Sequence, residues 1–425
     1  MSILVDLIYL IGLVIASPVL VPKLIIRWKH RYDWRARFGH VERLAPGSSP
    51  RILIHAVSVG EANAIETLVT QLLDQPDPND VVIAVTTETG FARATTLYGE
   101  RCKVIRYPLD FSRSVGRFLD AVRPDLAVMV ELELWPNFTR ACRRRGIRLA
   151  VVNGRLSERS FRGYSRAALF IRPMFKRLDA AAVQTELYAE RFRSLGARRS
   201  GVTVTGTMKW DAAGTRQHPE DSVALANALG IDPDRPLLVA GSTAPEEHAL
   251  LRDAIPDGVQ LLCAPRRPEW FDAAAEALPD CARRSLGDCG SSSGFFLLDT
   301  IGELSSAYRL ADVVVVGRSF GSLHGSDMME PCALGKPVVV GPATTDFTET
   351  VEKLVEGDGL IVTDAANLRD VLHQLFGSPE RRAVLGEHAR SVVASQQGAT
   401  TRTRLILENL LQKRSGNGNG DGSDA

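Results

Sequence analysis

Three ionisable side chains in the first half of the chain stand where chemistry can be done: Glu61, Glu131 and Lys209. Glu61 lies in RILIHAVSVGEANAIETLV, residues 51–69. A β-branched run (Ile52–Ile54) gives way there to small residues, Ser58–Gly60, and then to helical apolar spacing at Ala64 and Leu68. A strand that stops at a tight turn and becomes a helix puts its turn residues at the carboxyl edge of a sheet, where α/β proteins bind ligands. A carboxylate in that first helical turn sits at the helix's positive end beside free backbone N–H groups. It can act as a base, or simply complement the dipole. Glu131 and Glu133, in ELELWPNF, follow a second apolar run and can face the same edge, with Trp135 and Pro136 opening the next helix. A solvated acidic loop is the alternative. Lys209, in TGTMKWD, is a cation available to phosphate or carboxylate charge, or else surface decoration.

The second half carries groups suited to an anion. GSTAPEEH (residues 241–248) places Gly, Ser and Thr after a strand, where they can admit a ligand and cap a helix. APRRPEW (residues 264–270) ends another strand with Arg266 and Arg267, whose guanidinium forks suit a nucleotide phosphate. DTIGEL (residues 299–304) is a strand-to-helix turn, and HGSDMMEP (residues 324–331) brings Asp327 and Glu330 to the start of a further helix.

The positioning elements follow from the alternation of short β-branched runs with helix-length segments. Strands are expected at RILIHA, VVIAVTT, CKVIRY, DLAVMVE, RLAVVN, AAAVQ and VTVTG. After a polar, Pro- and Gly-containing interval (211–235) they resume at PLLVAGS, VQLLCAP, GFFLLDT, ADVVVVGRS, KPVVVGP and GLIVTD. Such alternation predicts two α/β domains, each a parallel sheet covered on both faces. The expected divisions are an N-terminal segment 1–28, a first domain 29–210, a linker 211–235, a second domain 236–413 and a disordered polar tail 414–425. A formal net charge of +1 argues against a nucleic-acid partner. The six cysteines are scattered, with neither a zinc spacing nor a disulfide framework. Ile3–Pro22 is almost wholly apolar and is followed by Lys23, Arg27, Lys29, Arg31, Arg35 and Arg37. About 20 apolar residues suffice to cross a bilayer, and a basic flank stays cytoplasmic. The sequence therefore predicts an N-terminal anchor in the inner membrane, spanning or interfacial, with the domains on the cytoplasmic face.

These strings, in this order, resemble the Kdo transferases, which attach 3-deoxy-D-manno-octulosonate (Kdo) to lipid A precursors in lipopolysaccharide biosynthesis. HAVSVGE resembles the family's HAxSVGE, ELELWPN its ETELWPN, NGRLSERS (residues 153–160) its NARLSERS, and TGTMKWD its TGNLKFD. PRRPEW resembles PRHPER, DTIGEL resembles DTMGEL, and HGSDMMEP stands where GGHNPLEP is common. The resemblance implies a GT-B fold, two Rossmann-like domains with a ligand cleft. It implies an inverting transfer of Kdo from CMP-Kdo to a lipid A precursor, with Glu61 as the base and Glu131 and Lys209 in support. Pro265, Arg266, Ile301, Gly302, Glu303, Asp327, Met328, Met329 and Glu330 would bind the nucleotide sugar. Ser58, Gly60, Arg155 and Arg162 would meet the acceptor. Asp327 replaces the usual Asn and loses a possible donated hydrogen bond, while Met328 replaces Pro. No cofactor is implied. CMP departs as a monophosphate, no DxD pair is suitably placed, and no metal is expected. A related enzyme using a UDP-sugar, or a binding protein that has lost turnover, are the alternatives.

Overall fold

The computed structural model describes residues 5–7, 9–11, 33–213 and 219–416. They form two compact units, the first comprising the described residues of 1–212 and 398–425 and the second those of 213–397. Each is built on a seven-stranded sheet.

In the first unit the strands are β1 (Arg51–Ala56), β2 (Asp80–Val85), β3 (Lys103–Arg106), β4 (Leu126–Val130), β5 (Arg148–Gly154), β6 (Ala180–Val183) and β7 (Val202–Val204). They run in the order β3-β2-β1-β4-β5-β6-β7, with every pairing parallel. β1 and β4 are buried along their whole length. Their Ile, Leu, Val, Ala and Met side chains fill the cores on both faces. The order reverses between β1 and β4, so the loops leaving their carboxyl ends diverge and open a crevice. Ser58–Gly60 and Glu131 follow those two strands.

The second unit repeats the scheme with β8 (Leu237–Thr243), β9 (Gln260–Pro265), β10 (Ala282–Arg283), β11 (Phe295–Leu297), β12 (Val313–Val316), β13 (Val338–Val340) and β14 (Ile361–Val362). Their order is β10-β11-β9-β8-β12-β13-β14, again all parallel, and the reversal falls between β8 and β12. The interval 211–235 contains the helix Pro219–Leu229.

The last helix, Ala399–Gly416, packs on the first unit, although the sequence pattern runs the second domain to 413. Asp211 draws it back by accepting the N–H groups of Gly398 (2.5 Å) and Thr400 (2.6 Å). Arg402 donates to the Thr205 carbonyl. Leu407 and Leu410 then join the core that holds Met208. The expected tail from 417 onward lies outside the described residues.

The expected membrane helix is corrected. Among the described residues no helix is long and apolar enough to cross a membrane. Within 1–28 only residues 5–7 and 9–11 are described; the rest of that expectation lies outside the described residues. The polar side chains of the described part turn onto the first unit. Asp6 accepts the Ser112 N–H (3.0 Å) and the Asn137 side-chain amide (2.9 Å), and the Tyr9 hydroxyl donates to Asp110 (3.0 Å). The apolar run in the sequence hid these two side chains, which tie the segment to protein. The inner-membrane partner and location rested on that helix and fall with it.

Candidate functional site

In the first unit Ser58 caps the helix Val59–Ala64, its hydroxyl accepting the Glu61 N–H. The Glu61 carboxylate reaches back in return, taking the Val57 N–H (2.8 Å) on one oxygen and the Ser58 hydroxyl (3.1 Å) on the other. This reciprocal arrangement resembles a capping box, and it fixes the carboxylate's direction. Each carboxylate oxygen keeps a free lone pair. Burial pushes the Glu61 pKa up to about 7, against the two hydrogen bonds and with help from the charges of Glu131 and Glu133. These electrostatic couplings place all three carboxylates at the β1–β4 reversal. Glu131 is in the left-handed region (φ 56°), a conformation that costs a non-glycine residue about 1–2 kcal/mol. Burial also raises the pKa of Glu133, which accepts the Trp135 indole N–H at 3.0 Å.

Two neighbours hold the Glu61 turn from behind. Thr87 donates both its N–H (3.1 Å) and its hydroxyl (2.8 Å) to the Val57 carbonyl. Gly90 lies so close that a Cβ there would stand 2.7 Å from Thr87 Oγ1 and 3.0 Å from the Val57 oxygen. His55 is fully buried, its ring stacked 3.5 Å from that of Tyr107 and its Nε2 3.0 Å from Thr86 Oγ1. Burial, with Arg37 nearby, lowers its pKa to about 3, so the ring stays neutral in the working pH range. Lys209 begins a short helix that packs against Val59–Ala64. Asn153, fully buried at φ 52°, fixes that start by accepting the Met208 N–H at 3.1 Å. The Lys209 side chain is exposed and forms no ion pair among the described residues.

In the second unit a fully buried Tyr308 lies under the β8 end, where a Cβ on Gly241 would meet its hydroxyl at 2.2 Å. Burial first, then the charges of Glu330 and Asp327, hold its phenol pKa far above the usual value, while Ser242 and Arg266 act in the other direction. Ser242, Arg266, Asp327 and Glu330 therefore converge around one ring. The Arg266 N–H donates to the Thr243 carbonyl (3.0 Å) and its side chain is exposed at the β9 end. A cation, two carboxylates and a hydroxyl at a strand-order reversal can recognise a phosphorylated ribose.

A family profile described as "3-Deoxy-D-manno-octulosonic-acid transferase (kdotransferase)" matches residues 32–212. The 3-deoxy-D-manno-octulosonic acid transferase of Bordetella pertussis is 34% identical over 399 residues, covering 88% of this chain and 91% of its own. The chain belongs to the Kdo transferase family. The Kdo transferase of Haemophilus influenzae is 29% identical, over 91% of this chain and 93% of its own. A UDP-GlcNAc 2-epimerase from Neisseria meningitidis, solved with UDP-GlcNAc bound, shares the fold at a TM-score of 0.57. It is 14% identical, over 85% of this chain and 100% of its own. The two Rossmann-like units are consistent with the GT-B fold, and the Kdo transferase is a glycosyltransferase.

Within this Kdo transferase the expected site residues fall into distinct groups. Glu61, Ser58 and Glu131 stand together at the first reversal, and a Cβ on Gly60 would meet only Ser58 Oγ, at 3.8 Å. Arg155 is exposed, and Arg162 is committed to an i,i+4 ion pair with Glu158. Pro265 closes β9 beside Arg266. Arg267, which stands in place of the family's His, lies over the Trp270 ring at 5.0 Å. Ile301 is 82% exposed, Gly302 adopts φ 105°, and Glu303 accepts from Arg284 and Thr300. Met328 and Met329 are buried, so only their backbone could meet a ligand. Asp327 accepts the Met329 N–H at 2.9 Å, a role in which Asp and Asn are equivalent acceptors. The departure from the family string is accommodated there.

Other motif residues prove to be scaffolding. Asn137 of WPN donates its N–H to Asp110 (3.0 Å), which also accepts the Phe138 N–H (2.8 Å) and so holds the first turn of the helix that WPN opens. Asp299 accepts from Arg283 and from the Ser285 N–H and hydroxyl. Sequence reasoning missed Thr87, Gly90, Tyr308 and Glu247. A Gly three residues after a Thr at a strand end was the one signal available for the first pair. Among the described residues no group of three or more His, Cys, Asp or Glu side chains is disposed to hold a metal ion.

Proposed function

We propose that this Kdo transferase moves Kdo from CMP-Kdo to a hydroxyl of a lipid A precursor in one inverting displacement, with Glu61 as general base. The observation that carries this reading is the Glu61 carboxylate. It is directed by Val57 and Ser58, lies at the carboxyl edge of the sheet, and is poised at a pKa of about 7. A base is most effective when its pKa lies near the working pH. Glu61 accepts the proton of the attacking hydroxyl; the hydroxyl oxygen bonds to the anomeric carbon of the donor, and that carbon's bond to the CMP phosphate oxygen breaks. Glu131 raises the basicity of Glu61 through its charge, and Lys209 offsets negative charge on the phosphate or the sugar carboxylate. The second unit seats CMP, with Arg266 on the phosphate and Glu330 accepting from ribose hydroxyls. Ser58, Gly60, Arg155 and Arg162 are proposed to meet the acceptor.

The test is direct. Purified protein given CMP-Kdo and a lipid A precursor releases CMP and yields a product heavier by Kdo. Glu61→Gln binds CMP as the parent does but releases none. Turnover at the parental rate in this variant removes Glu61 from the mechanism. Thermal stabilisation by CMP and none by UDP is expected, since a specific ligand raises apparent stability; the reverse pattern refutes the donor assignment.

A further inference from the structure

Glu247 is 1% exposed, yet no Lys, Arg or His pairs with it among the described residues. Its carboxylate instead accepts four backbone N–H groups. One oxygen takes those of Ala244 and Arg318, both at 2.8 Å, and the other takes Ser319 (2.9 Å) and Phe320 (3.0 Å). A helix cap explains only the first of these, because a capping box uses the N-cap N–H alone. The other three come from the loop after β12, more than 70 residues further along the chain. Consecutive amides converging on one anion form a nest, the arrangement with which α/β folds hold phosphate at a strand-order reversal. Here the protein supplies the anion itself.

The surroundings are shaped to this carboxylate. A Cβ on Gly317 would stand 2.6 Å from Glu247 Oε2 and 2.6 Å from the Thr243 Cα. Ser242 and Arg318, one on each side of the reversal, are both held at φ 58°. The loop so fixed ties four strand ends together. The Gly317 N–H donates to Gly241 (2.8 Å), the Arg266 N–H to Thr243 (3.0 Å), and the Gly341 N–H to the Ser319 hydroxyl (2.8 Å). Ser242 and Arg266 are two of the groups around Tyr308.

We propose that Glu247 is a positioning residue for the donor: a built-in anion that fills the amide nest between β8 and β12 and sets Ser242 and Arg266 for the nucleotide. This inference rests on the reading that the second unit binds CMP. With the nest filled, the amides of Ala244 and Arg318–Phe320 are not donors to the ligand, and phosphate recognition passes to side chains, Arg266 first.

In Glu247→Gln an NH2 group must face N–H donors, and the loop loses its shape. Calorimetric titration with CMP is expected to give a Kd about 10- to 100-fold above the parent's. The donor KM rises with it, while the acceptor KM and the pH dependence set by Glu61 stay unchanged. A variant that melts earlier but binds CMP with the parental Kd reduces Glu247 to a structural cap and overturns the inference. Parent protein that binds no CMP overturns the donor reading and this inference with it. Hydrogen exchange on the CMP-free parent gives an independent arm should Glu247→Gln fail to fold. Slow exchange at residues 318–320 supports a preset nest, and fast exchange overturns it.

Discussion

Glu61 offers the sharpest test, because one carboxyl group governs both rate and stability with opposite demands on pH. Its pKa rises from an ordinary 4.5 to about 7, chiefly through burial. Only the ionised form accepts a proton, so kcat/KM for the parent is expected to climb tenfold per pH unit below about 7 and to level above it. The stability effect has the other sign. A carboxyl whose folded pKa is raised favours the folded state fully below its unfolded pKa, and that contribution is lost as pH rises through the folded value. The window is therefore pH 4.5 to about 7. At 1.36 kcal/mol per unit the full shift is worth about 3 kcal/mol, and partial exposure of the side chain brings this to about 2 kcal/mol. Glu61→Gln removes the titration. Its altered hydrogen bonds to Val57 and Ser58 add an offset that does not change with pH and cancels in the comparison. For a unit of this size, about 2 kcal/mol moves Tm by roughly 4–8 °C. Relative to the parent, the Gln variant's Tm should therefore rise by that much between pH 5 and pH 8. The assay is calorimetric melting of both proteins across that range, beside initial rates of CMP release for the parent. A flat parental rate between pH 6 and 8, or a Tm difference that does not change with pH, refutes the reasoning.

Glu131→Gln removes a negative charge that raises Glu61, so the acid limb of the parental rate profile should move to lower pH; a limb that stays in place shows that the two carboxylates are not coupled. Gly90→Ala drives a methyl group into Thr87 and the Val57 carbonyl, and overpacking of this kind costs about 1–3 kcal/mol. The expected result is a lower Tm together with a lower kcat, because the turn bearing Glu61 shifts; an unchanged kcat would show that the turn is held elsewhere. Asp327→Asn should leave CMP affinity and Tm near the parent's, whereas Asp327→Ala should cost about 1 kcal/mol in stability through loss of the hydrogen bond from the Met329 N–H. Arg266→Ala should weaken CMP binding in titration well beyond Arg267→Ala, whose guanidinium is engaged with Trp270.

The sheets were the most legible part of the chain. Runs such as RILIHA and ADVVVVGRS are apolar on both faces, and only a central parallel strand buries both. Their alternation with helices gave the two α/β units, and the small residues after β1 pointed to a turn at its carboxyl end. The burial of individual side chains was not legible. His55 lies in the same motif as Glu61, but its stacking on Tyr107 depends on a residue two strands away. The resemblance puts Met328 and Met329 among the nucleotide-sugar contacts; their side chains lie in the core, which leaves their backbone for that role. Glu247 reads as one of two acidic residues at a helix start, and only the return of β12 beside β8 brings three further amides to it. The apolar N-terminal run counted for more than Asp6 and Tyr9, whose partners near residues 110 and 137 no local pattern announces.

The return of the final helix to the first unit makes that unit discontinuous in sequence, with the second unit inserted between Ala212 and Gly398. A ribosome therefore releases the first sheet long before the helix that covers Met208 exists, and finishes the second unit in the interval. Until Leu407 and Leu410 arrive, part of the first core has no lid. The same follows for protein engineering: a fragment cut at Ala212, although it spans the stretch matched by the family profile, leaves the Asp211 carboxylate and an apolar face without partners. A fragment joining residues 33–213 to 398–412 keeps both.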